Sequence, residues 1–131
     1  MTEEKTGAER RAHPRYPMLI KGEAKHANLA IRGAFAVVAS NISMGGMVIS
    51  ADSGDIVNVQ DVLLLKFPLL HEPPVELQAR VVWKREGVEP SIGQWSFGVY
   101  FHNSDVYEII RLHEPARRAF ISRLGPETFQ D

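Results

Sequence analysis

The sequence contains no cysteine. Disulfides, thiolate nucleophiles and cysteine zinc sites are therefore excluded, and a reducing compartment is compatible with the chain. No stretch comes near the ~18–20 consecutive apolar residues of a membrane span. Met1 to Arg15 carries no apolar core like that of a signal peptide. The expected location is the cytoplasm, with no membrane insertion. Excess charge is missing too. Fifteen Lys and Arg stand against sixteen Asp and Glu, a formal net charge of -1, whereas domains that coat nucleic acid by bulk charge usually carry a basic surplus. Catalytic signatures are equally scarce. His13, His26, His71, His102 and His113 form no His-Glu-x-x-His, Ser43 lacks a Gly-x-Ser-x-Gly elbow, and Gly45-Gly46 leads into no Walker loop. These absences argue against an enzyme, a metal site, a cofactor and a nucleic-acid partner.

What is present fits one domain, since single domains most often run ~100–150 residues and this chain has 131, with 44% hydrophobic residues. Val75, Leu77, Ala79, Val81 and Trp83 alternate with Glu76, Gln78, Arg80, Val82 and Lys84, the period-two signature of a strand. Leu63-Leu65-Phe67, Phe97-Val99-Phe101 and Phe35-Val37-Ala39 repeat the pattern, and Met47–Ser50 and Met18–Lys25 are shorter candidates. Turn chemistry separates them at Gly45-Gly46, at 52–55, at Pro73-Pro74 and across 85–93 with Gly87 and Pro90. About six short strands in this space suggest a small antiparallel barrel, which closes on itself and leaves few free edges.

The period then changes. Val106, Ile109, Ile110, Leu112, Ala116, Phe120 and Leu124 fall at helical spacing, Asp105 and Glu108 suggest a capping box, and Gly125-Pro126 is a stop signal. Pro115 should kink this helix or start a second one. The expected organisation is a flexible tail over 1–8, a β-barrel domain with a C-terminal helix over 9–125, and a second tail over 126–131.

Two segments carry candidate chemistry. Arg10-Arg11-Ala12-His13-Pro14-Arg15 places three arginines in a polar leader. Guanidinium forks suit phosphate oxygens and the Hoogsteen edge of guanine, and their faces stack on bases. Asn41-Ile42-Ser43-Met44-Gly45-Gly46 sits between two strand candidates, where two glycines permit positive φ and close approach of a ligand. Each alone also reads as something bland, a solvated tail or a hairpin turn.

In this order, ahead of a barrel-like string, the pair resembles the PilZ domain family. Its signatures are Arg-x-x-x-Arg and, at the second-to-third strand junction, Asp/Asn-x-Ser-x-x-Gly. Arg11 and Arg15 match the first; Asn41, Ser43 and Gly46 match the second. The likeness extends through Val81-Val82-Trp83, the Phe97–Phe101 strand and the arginine-bearing helix. It implies a mainly β fold, a six-stranded antiparallel barrel with a C-terminal α-helix, that binds the bacterial second messenger cyclic di-GMP. Arg10, Arg11 and Arg15 would then clasp phosphate and guanine, Asn41 and Ser43 would contact a guanine, and Gly46 would keep the surface clear. An arginine at position 10 further implies a stacked pair of cyclic di-GMP molecules per chain. Trp83 could stack on a guanine or belong to the core; Trp95 reads as packing. Arg32, Arg80, Arg85, Arg117, Arg118 and Arg123 read as solvated. The resemblance implies a receptor that changes conformation and signals through an unidentified partner protein, in motility or biofilm control. A ligand-independent interaction module is the alternative. An oligonucleotide-binding barrel is disfavoured by the neutral charge and the lack of an aromatic platform.

Overall fold

Alternation of side chains is what builds the molecule. The computed structural model describes residues 13–28, 33–52, 57–89 and 93–124. The two expected tails, together with Arg10, Arg11 and Arg32, lie outside them. Six strands, β1 (Tyr16–His26), β2 (Phe35–Ile42), β3 (Gly46–Ala51), β4 (Val62–Leu69), β5 (Glu72–Glu89) and β6 (Gly93–Phe101), precede one helix, α1 (Val106–Leu124). Every pairing is antiparallel, and the order β1-β2-β3-β6-β5-β4 closes into a barrel. The six-stranded barrel with its C-terminal helix agrees with the expectation from the sequence.

The inward set is the one the alternation marks. Leu63, Leu65 and Phe67 of β4 face Val75, Leu77, Ala79 and Val81 of β5, with Val37 and Ala39 of β2 and Phe97 and Val99 of β6 completing the interior. Burial of a Val, Leu, Ile or Phe side chain contributes ~1.5–3 kcal/mol each, so this cluster is the main source of stability.

Several boundaries differ from the sequence reading. The turn between β4 and β5 falls at Leu70-His71, where His71 takes φ 62, and Pro73-Pro74 lie inside β5. The register shift between Phe67 and Leu69 accommodates their missing donors. The break expected over 85–93 is instead strand as far as Glu89, because Gly87 (φ 71) absorbs an irregularity in the ladder between Glu86 and Glu89. Helix α1 runs past Pro115 as one element. Pro115 is exposed, and having no amide proton it leaves the Arg111 carbonyl without its helical hydrogen bond. Asp105 caps the helix, accepting from the Tyr107 amide at 2.9 Å. Glu108 does not close a capping box: it accepts from the Glu76 amide and from Arg111, whose hydrogen bond holds its carboxyl below the usual carboxylate pKa. Ile109, Leu112 and Ala116 bury the inner face of α1.

Candidate functional site

The Asn-x-Ser-x-x-Gly segment forms a tight connection between β2 and β3. The Ser43 amide donates to the Gly46 carbonyl at 2.8 Å. Ser43 Oγ accepts from the amides of Gly45 (3.1 Å) and Gly46 (3.2 Å), and its own hydroxyl lies 3.4 Å from the Gly46 carbonyl. Ser43 is buried, and its hydroxyl knots the turn. Neither glycine uses the positive φ open to it: Gly87 is the one glycine with positive φ among the described residues. Gly46 is needed for another reason. A Cβ there would lie 2.1 Å from the Val99 carbonyl oxygen, so only glycine lets β3 approach β6.

The cross-strand register lays the outer face out in rows. Trp83 on β5 pairs with Gly98 on β6, Gly98 with Val48 on β3, Val48 with Asn41 on β2, and Asn41 with Pro17 on β1. Strands sit ~4.8 Å apart, so Trp83 and Asn41 bound a strip about 14 Å wide. The adjacent row joins Arg80, Tyr100 and Gly46. Asn41 is half-buried, and its Oδ1 is covered without a hydrogen-bond partner among the described residues. A buried acceptor left unmade costs about 1–3 kcal/mol, a cost that an incoming donor would relieve.

Trp83 does not continue the inward series Val75–Val81. The register shift between Val81 and Trp83 turns it onto the outer face, where its five-membered ring covers Gly98. A Cβ on Gly98 would lie 2.0 Å from the indole nitrogen, so this glycine is the seat of the ring. Arg85 sits over the indole at 5.0 Å from its centre, a cation–π contact rather than a purely solvated position. Trp95 packs against the core, as expected, under Lys84. Arg117 and Arg118 lie on the solvated side of α1, as expected, each bonded to Glu114. The sequence offered one signal for the Trp83 seat, a glycine inside an alternating strand.

The leader enters beside the turn. Tyr16 pairs with Ile42 in the β1–β2 ladder, which brings Arg15 next to the Asn41 end of the row. A Cβ on Gly45 would have both His13 and Tyr100 ring atoms at 3.4 Å, so these two side chains flank the turn. Tyr16 is fixed from the other side, 5.4 Å from the His113 ring and 5.5 Å from that of Phe120, both on α1. His113 is buried, with Nε2 unpaired among the described residues. Burial pushes its pKa below the usual histidine value, Arg117 and His13 push the same way, and Glu114 opposes them. Of the predicted site residues, Arg15, Asn41, Ser43, Gly46 and Trp83 thus share one side of the barrel.

The sequence matches the family model described as "PilZ domain" over residues 9–114. The chain belongs to the PilZ domain family. Both motif segments, Arg11 to Arg15 and Asn41 to Gly46, lie within the matched range. The fold is shared with the PilZ domain of YcgR from Escherichia coli, solved with c-di-GMP (12% identity, 88% of this chain and 97% of that one, TM-score 0.66). It is also shared with the PilZ domain of CeSA from a cellulose synthesizing bacterium (19% identity, 79% and 98%, TM-score 0.61). The Bacillus subtilis inhibitor of motility, MotI/DgrA, matches at 17% identity over 84% of this chain with a TM-score of 0.65. This PilZ chain spans about half of that protein, 51% of its length. No curated protein matches the sequence. No helix among the described residues is long and apolar enough to cross a membrane, and none of their His, Asp and Glu side chains gather into a group of three that could hold a metal ion.

Proposed function

We propose that the chain is a cytoplasmic receptor for cyclic di-GMP that seats the nucleotide on the outer barrel face, between the leader and the Asn41–Gly46 turn. The observation that carries the reading is the convergence of Arg15, Asn41 and the Trp83–Arg85 stack on one strip of surface. Cyclic di-GMP has two phosphodiester charges and two guanines. Arg10, Arg11 and Arg15 supply guanidinium forks for phosphate and for the guanine Hoogsteen edge. Asn41 meets a guanine through its amide oxygen, which has no partner among the described residues, and Trp83 offers a ring for stacking. Ser43 and Gly46 act from beneath by holding the turn in shape. Membership of the PilZ family supports a receptor or adaptor role rather than catalysis. The c-di-GMP-bound relative has the same fold.

Arg10 adds a third guanidinium, and with it we propose two nucleotides per chain. The signal then passes to a partner protein. Arg15 adjoins Tyr16, whose ring is packed on α1, so a pull on the leader reaches the helix within one residue. Isothermal titration with cyclic di-GMP tests the reading. Micromolar or tighter binding with a stoichiometry near two is expected; no binding in that range would favour a ligand-independent interaction module. That second reading draws on one observation: Ser43 and Gly46 already have structural work in the turn.

A further inference from the structure

Tyr100 belongs to neither signature segment, yet it occupies the mouth of the proposed site. It stands on the outer face of β6, two residues beyond Gly98, and is 61% exposed. Tyrosine rings usually bury much of their area in packing. The open position has a local cause. Tyr100 is paired on one side with Gly46, which has no side chain, and the turn beside it presents Gly45. On the other side its partner is the exposed Arg80. The ring is therefore left standing over a glycine floor, beside His13 at the end of the leader.

Its spacing from Trp83 is set by the strand. Positions two apart share a face and lie about 7 Å from each other, and Trp83 lies over Gly98, two positions before Tyr100. Aromatic rings interact at centroid separations of ~4.5–7 Å. A planar base held next to the indole is thus within reach of the Tyr100 ring as well, and every base has a π-face on which an aromatic side chain can stack. Arg80, directly across the ladder, adds a cation on the same row for a phosphate.

We infer that Tyr100 is a ligand-contacting residue that stacks on a guanine at the leader end of the site, with Arg80 beside it toward phosphate. The inference rests on the cyclic di-GMP reading and extends it to a second aromatic contact. Isothermal titration with cyclic di-GMP, on the full chain and on Tyr100→Ala, Tyr100→Phe and His13→Ala, tests it. Tyr100→Ala should bind about tenfold more weakly, equivalent to ~1.4 kcal/mol. Tyr100→Phe should stay within about twofold of the unmutated chain, because the ring and not the hydroxyl carries the contact. Thermal unfolding of all three variants should match the parent within error. If His13→Ala alone reproduces the whole loss, and combining it with Tyr100→Ala weakens binding no further, Tyr100 acts only by seating the leader and the inference fails. It also fails if Tyr100→Ala binds like the unmutated chain, or if Tyr100→Phe is as weak as Tyr100→Ala. Absence of binding by the unmutated chain removes the receptor reading itself, and this extension with it.

Discussion

Gly45 and Gly46 are chemically identical neighbours with opposite expected responses to a single methyl group. At Gly46 a Cβ would sit 2.1 Å from the carbonyl oxygen of Val99, 3.2 Å from its carbonyl carbon and 3.4 Å from the Cα of Tyr100. All three are backbone atoms of β6, so no side chain can rotate away. Restoring ordinary contact requires parting β3 from β6 by roughly 1 Å at the first pair of their ladder. Overpacking of this kind costs ~1–3 kcal/mol, occasionally more. The upper half of that range applies, because the ladder from Gly46↔Tyr100 to Ala51↔Trp95 must shift with it. At Gly45 the nearest atoms are side-chain carbons of His13 and Tyr100 at 3.4 Å, an ordinary contact. Its φ is not positive. There alanine should be neutral, or stabilise by the ~0.4–1 kcal/mol that reduced unfolded-chain freedom contributes. Urea unfolding is the assay. Gly46→Ala should lower the midpoint by the equivalent of about 2–3 kcal/mol with an unchanged slope. The thermal midpoint should fall by roughly 8–12 °C at about 4 °C per kcal/mol. Gly45→Ala should leave both within about 1 kcal/mol of the parent. Equal effects at the two positions, or a tolerated Gly46→Ala, would refute the close-approach argument.

Ser43→Ala should destabilise by about 1–3 kcal/mol in the same assay, since the Gly45 and Gly46 amides lose their acceptor; an unchanged midpoint would show that the hydroxyl does not hold the turn. Arg15→Ala should weaken cyclic di-GMP binding at least tenfold, given ~1.5–3 kcal/mol for a charge-assisted hydrogen bond, with little change in thermal midpoint because the side chain is exposed. Acid should weaken the fold through His113. Burial lowers its folded pKa, so between that lowered value and about 6.5 the unfolded chain takes up a proton that the folded chain refuses. Stability from this group is full above about 6.5, falls as pH drops through the window, and levels off below the folded pKa. His113→Phe should flatten that part of the stability–pH curve, and an identical curve would contradict the assignment.

The inward faces of β4, β5 and β6 were legible because a strict period of two over Leu63–Phe67, Val75–Val81 and Phe97–Phe101 has one physical solution, a half-buried strand. The candidate site was visible as two short segments, since arginine spacing and an Asn-x-Ser-x-x-Gly run are local patterns. What the pattern hid were features made by register. Alternation extended through Trp83 places its ring inside, and only the shift against β6 turns it out onto Gly98. Two prolines read as a turn, yet β5 carries them next to an irregular stretch of ladder. Glu108 looked like a capping partner until the fold brought the Glu76 amide and Arg111 within its reach. Tyr100 carried no signal at all in one dimension. Its exposure follows from Gly46 lying across the sheet, a neighbour 54 positions earlier in the chain (100 minus 46).

The central claim is that cyclic di-GMP sits on the strip from Trp83 to Asn41, and a titration followed by proton–nitrogen correlation spectra addresses it residue by residue. The Trp83 indole N–H, lying over Gly98, is a resonance well separated from the backbone amides and reports on the far end of the strip. Adding nucleotide should shift that signal together with the amides of Asn41, Gly45, Gly46, Gly98 and Tyr100. Ala24, Leu65 and Leu77, in the interior near the β1–β4–β5 side, should remain in place. Saturation near two equivalents is expected. Shifts centred on β4 and β5 away from Trp83, or a spectrum unchanged by excess nucleotide, would contradict the account.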